Sequence, residues 1–214
     1  MNSRIFLIRH GETAWNNEGI FRGQSDIPLN ERSLQQARAT ADYLRSVHFT
    51  AVYCSPLSRA RQTADAICAA REVKPTPLDA FNDISFGPWE GKTFNELEKL
   101  YPEAIKTWRE QPEKHKLPGA ETLSEAMRRA YIKMEMLALA NEGQNIAVVS
   151  HRVILKLLIL AAFNSGSEGF WKIKQDTCCI NILEFDNKLG FVTVKVNDTC
   201  HLRSLSESWQ QHDF

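Results

Sequence analysis

Apolar and polar residues alternate along the chain in blocks that predict strands and helices in turn. Short apolar runs bounded by turn residues predict four strands, at Arg4–Ile8, Thr50–Cys54, Leu78–Phe81 and Asn145–Ser150. Apolar residues at helical spacing predict helices between them, over Leu34–Val47, Leu57–Cys68, Thr122–Asn141 and Val153–Phe163. The last of these helices is apolar on most sides, so we expect it to be buried.

The order of these elements predicts an α/β fold, a three-layer α/β/α sandwich. Strands that alternate with helices are typical of a mainly parallel sheet with helices on both faces. Late in the chain, Cys179–Asp186 and Phe191–Val196 alternate apolar and polar residues around a polar turn. This pattern predicts an antiparallel hairpin and an antiparallel edge strand. We find no repeat or linker, so residues 1–214 are interpreted as one domain.

Composition narrows the classes of function. The 214 residues are 43% apolar, enough to bury a sizeable core, and 26 basic residues balance 26 acidic ones. This balance argues against nucleic acid or an anionic membrane as partner. The apolar stretches are too short for a membrane span or a signal peptide, so we expect a cytoplasmic protein. The five cysteines lack C-x-x-C spacing, so neither a disulfide framework nor a zinc site is indicated.

Three of the predicted strands lead into residues that are suited to binding an anion. They are Arg9-His10-Gly11 after the first strand, Arg59 in the first helical turn after the second, and Ser150-His151-Arg152 at the end of the fourth. Each group alone has an ordinary structural explanation, such as a solvated helix face or a helix cap. The carboxyl ends of parallel strands meet at one edge of a sheet, so we expect the three groups to converge. Guanidinium groups, imidazoles and a helix N-terminus at one place favour an anion site.

The same segments resemble a known family. The stretches "LIRHGETAWN", "SPLSRARQT" and "SHR" are similar to the motifs of the histidine phosphatase superfamily, the phosphoglycerate mutase-like group. Three further stretches, "FRGQSDIPLNER", "FGPWEGKTFNEL" and "PGAETLSEAMRR", extend the resemblance over nearly the whole chain. The resemblance implies an enzyme that transfers a phosphoryl group to a histidine.

In such an enzyme His10 would be the nucleophile. A neutral imidazole nitrogen attacks phosphorus, and water later hydrolyses the phosphohistidine. Many phosphoryl-transfer enzymes offset the charge of the transferring group with magnesium. No carboxylate cluster here suggests a metal site, so we expect no cofactor, and Arg9, Arg59 and a protonated His151 would stabilise that charge. Gly11 would leave room for the phosphoryl group.

The resemblance also implies that Asn16, Arg22 and Gly23 complete the phosphate pocket, although on residue type alone they fit a plain turn equally well. Arg152 stands where many relatives have a small residue. It is either the first exposed residue of a helix or a second positive charge beside the pocket. In the second case it would suit a substrate that carries a carboxylate or another anionic group.

The general acid that protonates the leaving oxygen is a separate question. The family normally supplies a glutamate a few residues before the G-x-W-x-G stretch, and Asp83 occupies that position here. Aspartate is shorter by one methylene group, which changes its reach. We therefore predict Asp83 as the acid, with Glu90 as the first rival and Glu12 as the second.

Within the family, this chain is predicted to be a phosphatase, with a mutase as the alternative. The cofactor-dependent mutases carry paired arginines in a longer insertion, whereas the segment Tyr101–Pro118 offers Arg109 and several lysines. The C-terminal part resembles bacterial metal-independent phosphoserine phosphatases, so phosphoserine is the leading substrate. Alpha-ribazole phosphatases and broad-specificity phosphatases are nearly as similar. A catalytically weak relative that binds phosphorylated ligands, and a homodimer formed through the late hairpin, stay open.

Overall fold

The computed structural model describes residues 2–205, and within them the strands form a single mixed sheet. The strands are β1 (Ser3–Arg9), β2 (Ala51–Cys54), β3 (Pro75–Pro77), β4 (Asn145–Ser150), β5 (Ile180–Asp186) and β6 (Gly190–Asp198). Their spatial order is β3-β2-β4-β1-β5-β6. The first four strands run parallel, while β5 pairs antiparallel with β1 and β6 pairs antiparallel with β5. The late hairpin is confirmed, and it contributes two antiparallel strands, of which β6 lies at the edge.

Helices connect the strands. The α-helices are α1 (Ala14–Asn17), α2 (Glu31–Tyr43), α3 (Ser58–Cys68), α4 (Phe94–Leu100), α5 (Pro102–Glu110), α6 (Leu123–Ala140) and α7 (Arg152–Ala162). Thr122 caps α6 as expected, because its side chain accepts from the Glu125 backbone while the Glu125 carboxylate accepts from Thr122. Helix α7 is buried along most of its length, as its all-round apolar sequence predicts.

Alternating side chains of the central strand build two cores. Ile5 and Leu7 on β1 belong to the cluster that includes α6 and α7, whereas Phe6 and Ile8 belong to the cluster that includes α3. Successive strand residues point to opposite faces of a sheet, so the two clusters lie on its two sides. The three-layer α/β/α architecture is therefore confirmed.

The predicted strand at Leu78–Phe81 is wrong. The third strand lies just before it, at Pro75–Pro77, and Asp79–Phe81 form a 3-10 helix that buries Phe81 completely. Leu78 and Phe81 are three residues apart, a spacing that a 3-10 turn brings to one side. Proline cannot donate to a sheet ladder but is tolerated in an edge strand, which is the position of β3.

The parallel strands bring their carboxyl ends to one edge of the sheet. Arg9 at the end of β1 lies opposite Ser150 at the end of β4, and Cys54 at the end of β2 lies opposite Val149. This register places the three sequence motifs side by side. No helix within residues 2–205 reaches the length and apolarity that a membrane span requires.

Candidate active site

His10 is a buried imidazole whose orientation is set by its own main chain. It follows β1 directly, and its Nδ1 lies 2.5 Å from the Gly11 carbonyl oxygen. A carbonyl only accepts, so Nδ1 carries the proton and Nε2 keeps its lone pair. Burial, together with the positive charges of Arg59 and Arg9, holds the pKa of His10 well below its usual 6.5. The ring is therefore neutral at physiological pH, as a nucleophile must be.

His151 packs against His10, with ring centroids 5.0 Å apart. Arg59 Nε donates to His151 Nδ1 at 3.3 Å, so the proton of the neutral ring resides on Nε2. His151 Nε2 is buried and has no hydrogen-bond partner within residues 2–205. Burial and the neighbouring Arg59 lower the pKa of His151 well below 6.5. The lowered pKa favours a neutral His151, whereas the sequence analysis expected a protonated one, and the neutral ring still presents an N–H donor.

Arg59, in the first turn of α3, is fully buried and contacts several parts of the site. Its Nη1 donates to the Ser25 carbonyl and its Nη2 to the Gly23 carbonyl, both at 2.8 Å. Nη2 also lies 3.4 Å from Asp83 Oδ2. This guanidinium therefore holds the 23–25 loop, His151 and Asp83 together, a positioning task that its sequence position did not reveal.

Asp83 lies in the same cluster, as predicted. Its Oδ2 is 3.6 Å from His151 Nδ1, and its Oδ1 accepts from the Ile84 backbone at 3.0 Å. Burial raises the pKa of Asp83 above its usual 3.8, while the charges of Arg59 and Arg22 oppose that rise. A bound anion would offset those guanidinium charges, which favours the protonated carboxyl further. These are the surroundings that a general acid needs.

Glu90 and Glu12, the two alternatives to Asp83 as general acid, both form hydrogen bonds that hold loops. Glu90 accepts from the backbone of Gln24 and Phe86 and from the Ser25 hydroxyl, at 3.0–3.2 Å. Glu12 accepts from the Asn30 side chain at 2.8 Å. Both therefore tie loops together, and the geometry favours Asp83.

Positive charge is concentrated around these groups. Burial and repulsion from Arg9 and Arg152 lower the pKa of Arg22 to about 9, so it stays protonated at neutral pH. Arg9 is fully buried and its Nη1 donates to the carbonyl of Gln175. Arg152 is the first residue of α7 and lies close enough to Arg22 to affect its pKa.

The remaining predicted pocket residues are Asn16 and Gly23. The side-chain oxygen of Asn16 accepts from both the backbone and the hydroxyl of Thr13 at 2.9 Å, which leaves its NH2 group as a donor. Gly23 has φ of +51°, and a Cβ there would lie 2.1 Å from Glu90 Oε1. Glycine is therefore required at this turn by conformation and by space.

Two expectations about this edge need correction. A Cβ on Gly11 would lie 2.8 Å from Cβ of Ser33, so this glycine admits the close approach of α2. The first N–H of α3 is also not available to an anion, because the backbone and hydroxyl of Ser58 donate to the Asp26 carboxylate at 2.7 and 2.8 Å. The guanidinium and imidazole groups and the Asn16 NH2 group are the candidate anion-binding elements.

Sequence reasoning missed three residues that support the site. Gln175 receives Arg9, Thr63 Oγ1 accepts from the Gly11 backbone at 3.2 Å, and Arg129 donates to the Asp83 carbonyl at 3.1 Å. Thr63 and Arg129 end the stretches "SPLSRARQT" and "PGAETLSEAMRR", but nothing in those stretches indicates which contacts they make, and Gln175 lies outside them. Within residues 2–205 no group of three or more His, Cys, Asp and Glu side chains could hold a metal ion.

Comparison with known proteins agrees with this geometry. Residues 5–199 match the family model described as histidine phosphatase superfamily (branch 1). Phosphoserine phosphatase 1 of Hydrogenobacter thermophilus is 31% identical over 93% of this chain and 94% of its own length. Adenosylcobalamin/alpha-ribazole phosphatase of Escherichia coli is 30% identical over 90% and 94%.

A solved structure with the same fold carries a ligand. It is a histidine-to-alanine variant of phosphoserine phosphatase from Entamoeba histolytica in complex with phosphoserine. It is 30% identical to this chain, with a TM-score of 0.82 over 94% of this chain and 99% of that one. The family match spans almost the whole described chain and contains every residue of the cluster built above. The chain belongs to the histidine phosphatase superfamily, branch 1, and is a phosphoric monoester hydrolase.

Proposed function

We propose that the protein hydrolyses small phosphomonoesters in two steps, through a phosphohistidine at His10 and without a metal ion, and that phosphoserine is its leading substrate. One observation carries the proposal. The neutral His10 ring keeps the lone pair of Nε2 and lies among the guanidinium groups of Arg9, Arg22 and Arg59. A nucleophile surrounded by fixed positive charge is suited to a phosphoryl group, whose charge spreads over three oxygens.

The first step forms the phosphohistidine. His10 Nε2 attacks phosphorus, the bond between phosphorus and the ester oxygen breaks, and the departing oxygen takes the proton of Asp83. The buried N–H of His151, the Asn16 NH2 group and the guanidinium groups of Arg9 and Arg22 donate to the phosphoryl oxygens. Arg59 acts here chiefly by orienting His151, since its own nitrogens already donate within the protein.

The second step returns the enzyme to its starting state. Water attacks phosphorus, the bond between phosphorus and Nε2 breaks, and Asp83, now ionised, takes a proton from the water. Inorganic phosphate leaves, His10 is neutral again and Asp83 is protonated. One carboxyl group thus serves as acid and then as base, which suits its raised pKa.

The number of positive charges around His10 supports a substrate with more than one anionic group. Four guanidinium groups influence the pKa of Arg22 or Asp83 in this cluster, those of Arg9, Arg22, Arg59 and Arg152. Phosphoserine carries a carboxylate besides its phosphate, and we assign that carboxylate to Arg152 at the start of α7. The relatives named phosphoserine phosphatase and the phosphoserine complex support this choice. The relative named alpha-ribazole phosphatase makes alpha-ribazole phosphate the second substrate to test.

Hydrolysis is preferred to mutase chemistry because of Arg109. This arginine pairs with Glu98 at 3.1 Å on the surface and lies over the Phe94 ring at 3.9 Å. It is engaged away from the cluster around His10 and is not available to shield a phosphohistidine from water.

The test is phosphate release from phosphoserine, alpha-ribazole phosphate, 3-phosphoglycerate and p-nitrophenyl phosphate in excess EDTA. We expect turnover in EDTA, the highest kcat/KM for phosphoserine, and no turnover by His10→Ala. Alkaline quenching after ³²P-labelled substrate should trap base-stable, acid-labile label on the wild-type protein. A strict requirement for magnesium, or full activity of His10→Ala, contradicts the mechanism. A preference for another ester changes the substrate and leaves the mechanism intact.

We also propose that two copies of the chain pair through β6. This strand lies at the sheet edge, and Val192, Val194 and Val196 alternate along it with 38–53% of their surfaces exposed. An apolar edge strand is a template for pairing with another strand. Antiparallel pairing of β6 with its copy would satisfy both edges by two-fold symmetry.

A further inference from the structure

The guanidinium group of Arg129 on α6 donates all its hydrogen bonds to Glu121 and to the backbone of the segment 79–83. Nε and Nη2 donate to the two carboxylate oxygens of Glu121 at 2.6 and 2.8 Å. Nη1 donates to the carbonyls of Ala80 at 2.8 Å and Asp79 at 3.4 Å, and Nη2 donates to the carbonyl of Asp83 at 3.1 Å. A guanidinium has five N–H donors, and these contacts use all five.

The segment held in this way is the one that carries Asp83. It has a single 3-10 turn, Asp79–Phe81, and its next residues have no regular structure. On its other side Ser150 Oγ donates to the Phe81 carbonyl at 2.8 Å, which ties the segment to the end of β4. The Glu121 backbone donates to the carbonyl of Ser85 at 2.9 Å. The segment is therefore clamped between the sheet and α6.

The position of this backbone decides where the Asp83 carboxyl lies. Aspartate has one methylene group between its backbone and its carboxyl, so a shift of the backbone passes almost unchanged to the carboxyl oxygens. A displacement of about 1 Å in a reacting group can cost on the order of 10²-fold in rate. Arg129 holds the carbonyl of Asp83 itself, which also accepts from Gln24 Nε2 at 3.2 Å, while Arg59 lies against the carboxyl.

We propose that the Arg129–Glu121 ion pair positions the backbone of the general acid and so helps to set the distance of Asp83 from the reacting atoms. This inference rests on the proposed function for the role of Asp83. Glu121 holds the guanidinium in its fork geometry and offsets part of its positive charge. Arg129 touches no reacting atom and acts through the backbone.

The test compares two aryl esters that differ in their leaving group, phenyl phosphate and p-nitrophenyl phosphate. Phenolate is the more basic leaving group and needs the acid, whereas p-nitrophenolate needs it little. For Arg129→Ala and Arg129→Lys we expect kcat/KM for phenyl phosphate, which reports the step that releases the leaving group, to fall by about 10–10²-fold. The value for p-nitrophenyl phosphate should change by much less. Lysine keeps the charge but not the planar five-donor geometry, so it should not rescue the rate. Millimolar guanidinium chloride should partly restore Arg129→Ala.

Arg128→Ala is the matched control, because Arg128 is the exposed neighbour of Arg129 on the same helix, and neither substrate should respond to it. Asp83→Asn separates the failure of this inference from that of the proposed function. If Asp83→Asn shows no dependence on the leaving group, the proposed acid is wrong. If Asp83→Asn shows that dependence but neither Arg129→Ala nor Arg129→Lys does, the positioning role of Arg129 is wrong. The role of Asp83 as general acid is then unaffected. In an Asp83→Asn background, Arg129→Ala should add little.

Equal losses of kcat/KM for both esters in a folded variant would also overturn the positioning role, because they indicate a general disturbance of the site. Thermal unfolding measured by circular dichroism identifies variants that are merely unfolded. Should Arg129→Ala fail to fold, Arg129→Lys decides, since it keeps the charge opposite Glu121. Failure of both variants to fold would assign Arg129 to stability alone and overturn the proposal.

Discussion

Arg59 and His151 share a buried hydrogen bond of 3.3 Å, from the Nε of the arginine to the Nδ1 of the histidine. Both side chains are inaccessible to solvent. The bond fixes the tautomer of His151, so its Nε2–H faces the space beside His10. In the proposed mechanism this neutral imidazole is a donor to the phosphoryl group, and the Arg59 guanidinium holds both the imidazole and the 23–25 loop in place.

Replacement of Arg59 should therefore be costly even when the charge is kept. Arg59→Ala and Arg59→Lys should both lower kcat by about 10²–10³-fold, the usual effect of losing one preorganised oxyanion donor. Lysine cannot reach two carbonyls and an imidazole at once. Steady-state rates with p-nitrophenyl phosphate measure the loss. If Arg59→Lys keeps the wild-type kcat, the positive charge alone matters and the positioning role fails.

The pKa shifts predict an asymmetric pH profile. His10 acts when neutral, and its pKa is lowered, so lowering the pH to 6.5 should not reduce activity. Asp83 acts when protonated, and its pKa is raised, so kcat for phenyl phosphate should fall as the pH rises through that raised value. The second ionisation of the free substrate, near pH 6, affects kcat/KM and leaves kcat unaffected.

Asp83→Asn is the control for this profile. The variant has no titratable acid, so its low kcat for phenyl phosphate should lose the descending limb at higher pH, while Glu90→Gln keeps it. A descending limb that survives in Asp83→Asn and disappears in Glu90→Gln would transfer the acid role to Glu90.

The convergence of the motifs could be predicted from the sequence because each motif follows an apolar run. Arg9, His10 and His151 mark the ends of strands whose partners are parallel, and the register of a parallel sheet then brings them together. The strand at Pro75–Pro77 could not be predicted, because it has no apolar pattern and exists only through its pairing with β2.

The contacts that support the site could not be predicted from the sequence, for a different reason. Arg9 meets Gln175 across 166 positions, and Arg129 meets Asp83 across 46 positions. Both contacts join arginine to a backbone carbonyl, and every residue has a carbonyl, so no residue type marks the partner. The protonation of His151 likewise depends on Arg59, which lies 92 positions away.

Gly23→Ala tests the turn that Arg59 holds. The left-handed backbone should cost about 1–2 kcal/mol in the free energy of unfolding, and the clash with Glu90 should move the loop. We expect KM for phosphomonoesters to rise along with the loss of stability. Gly190→Ala is the matched control, since Gly190 has φ of +75° and nothing within 4 Å of its Cβ position. It should lose stability and keep activity; equal activity in both variants would show that the 23–25 loop does not shape the pocket.

Arg152→Ala tests the second anionic group of the substrate. It should raise KM for phosphoserine by about 10–10²-fold, the effect of losing a charge-assisted hydrogen bond. O-Phosphoethanolamine lacks the carboxylate, so its KM should change little. Arg109→Ala serves as the control, because Arg109 is paired with Glu98 on the surface. An equal rise for both substrates would assign Arg152 to the phosphate and remove the argument for a carboxylated substrate.

The edge strand β6 gives the last prediction. Val194 is 53% exposed in the middle of this strand, at the point where the pairing of β6 with β5 shifts its register. If two copies pair here, Val194→Lys brings two ammonium groups close to the two-fold axis, and the repulsion should shift the protein from dimer to monomer. Sedimentation velocity at micromolar concentration measures the change. Leu189→Lys is the control, because Leu189 is 75% exposed but lies in the turn before β6 and should leave the dimer intact. Wild-type protein that sediments as a monomer, or a dimer that Val194→Lys does not weaken, would show that β6 is not the contact between copies.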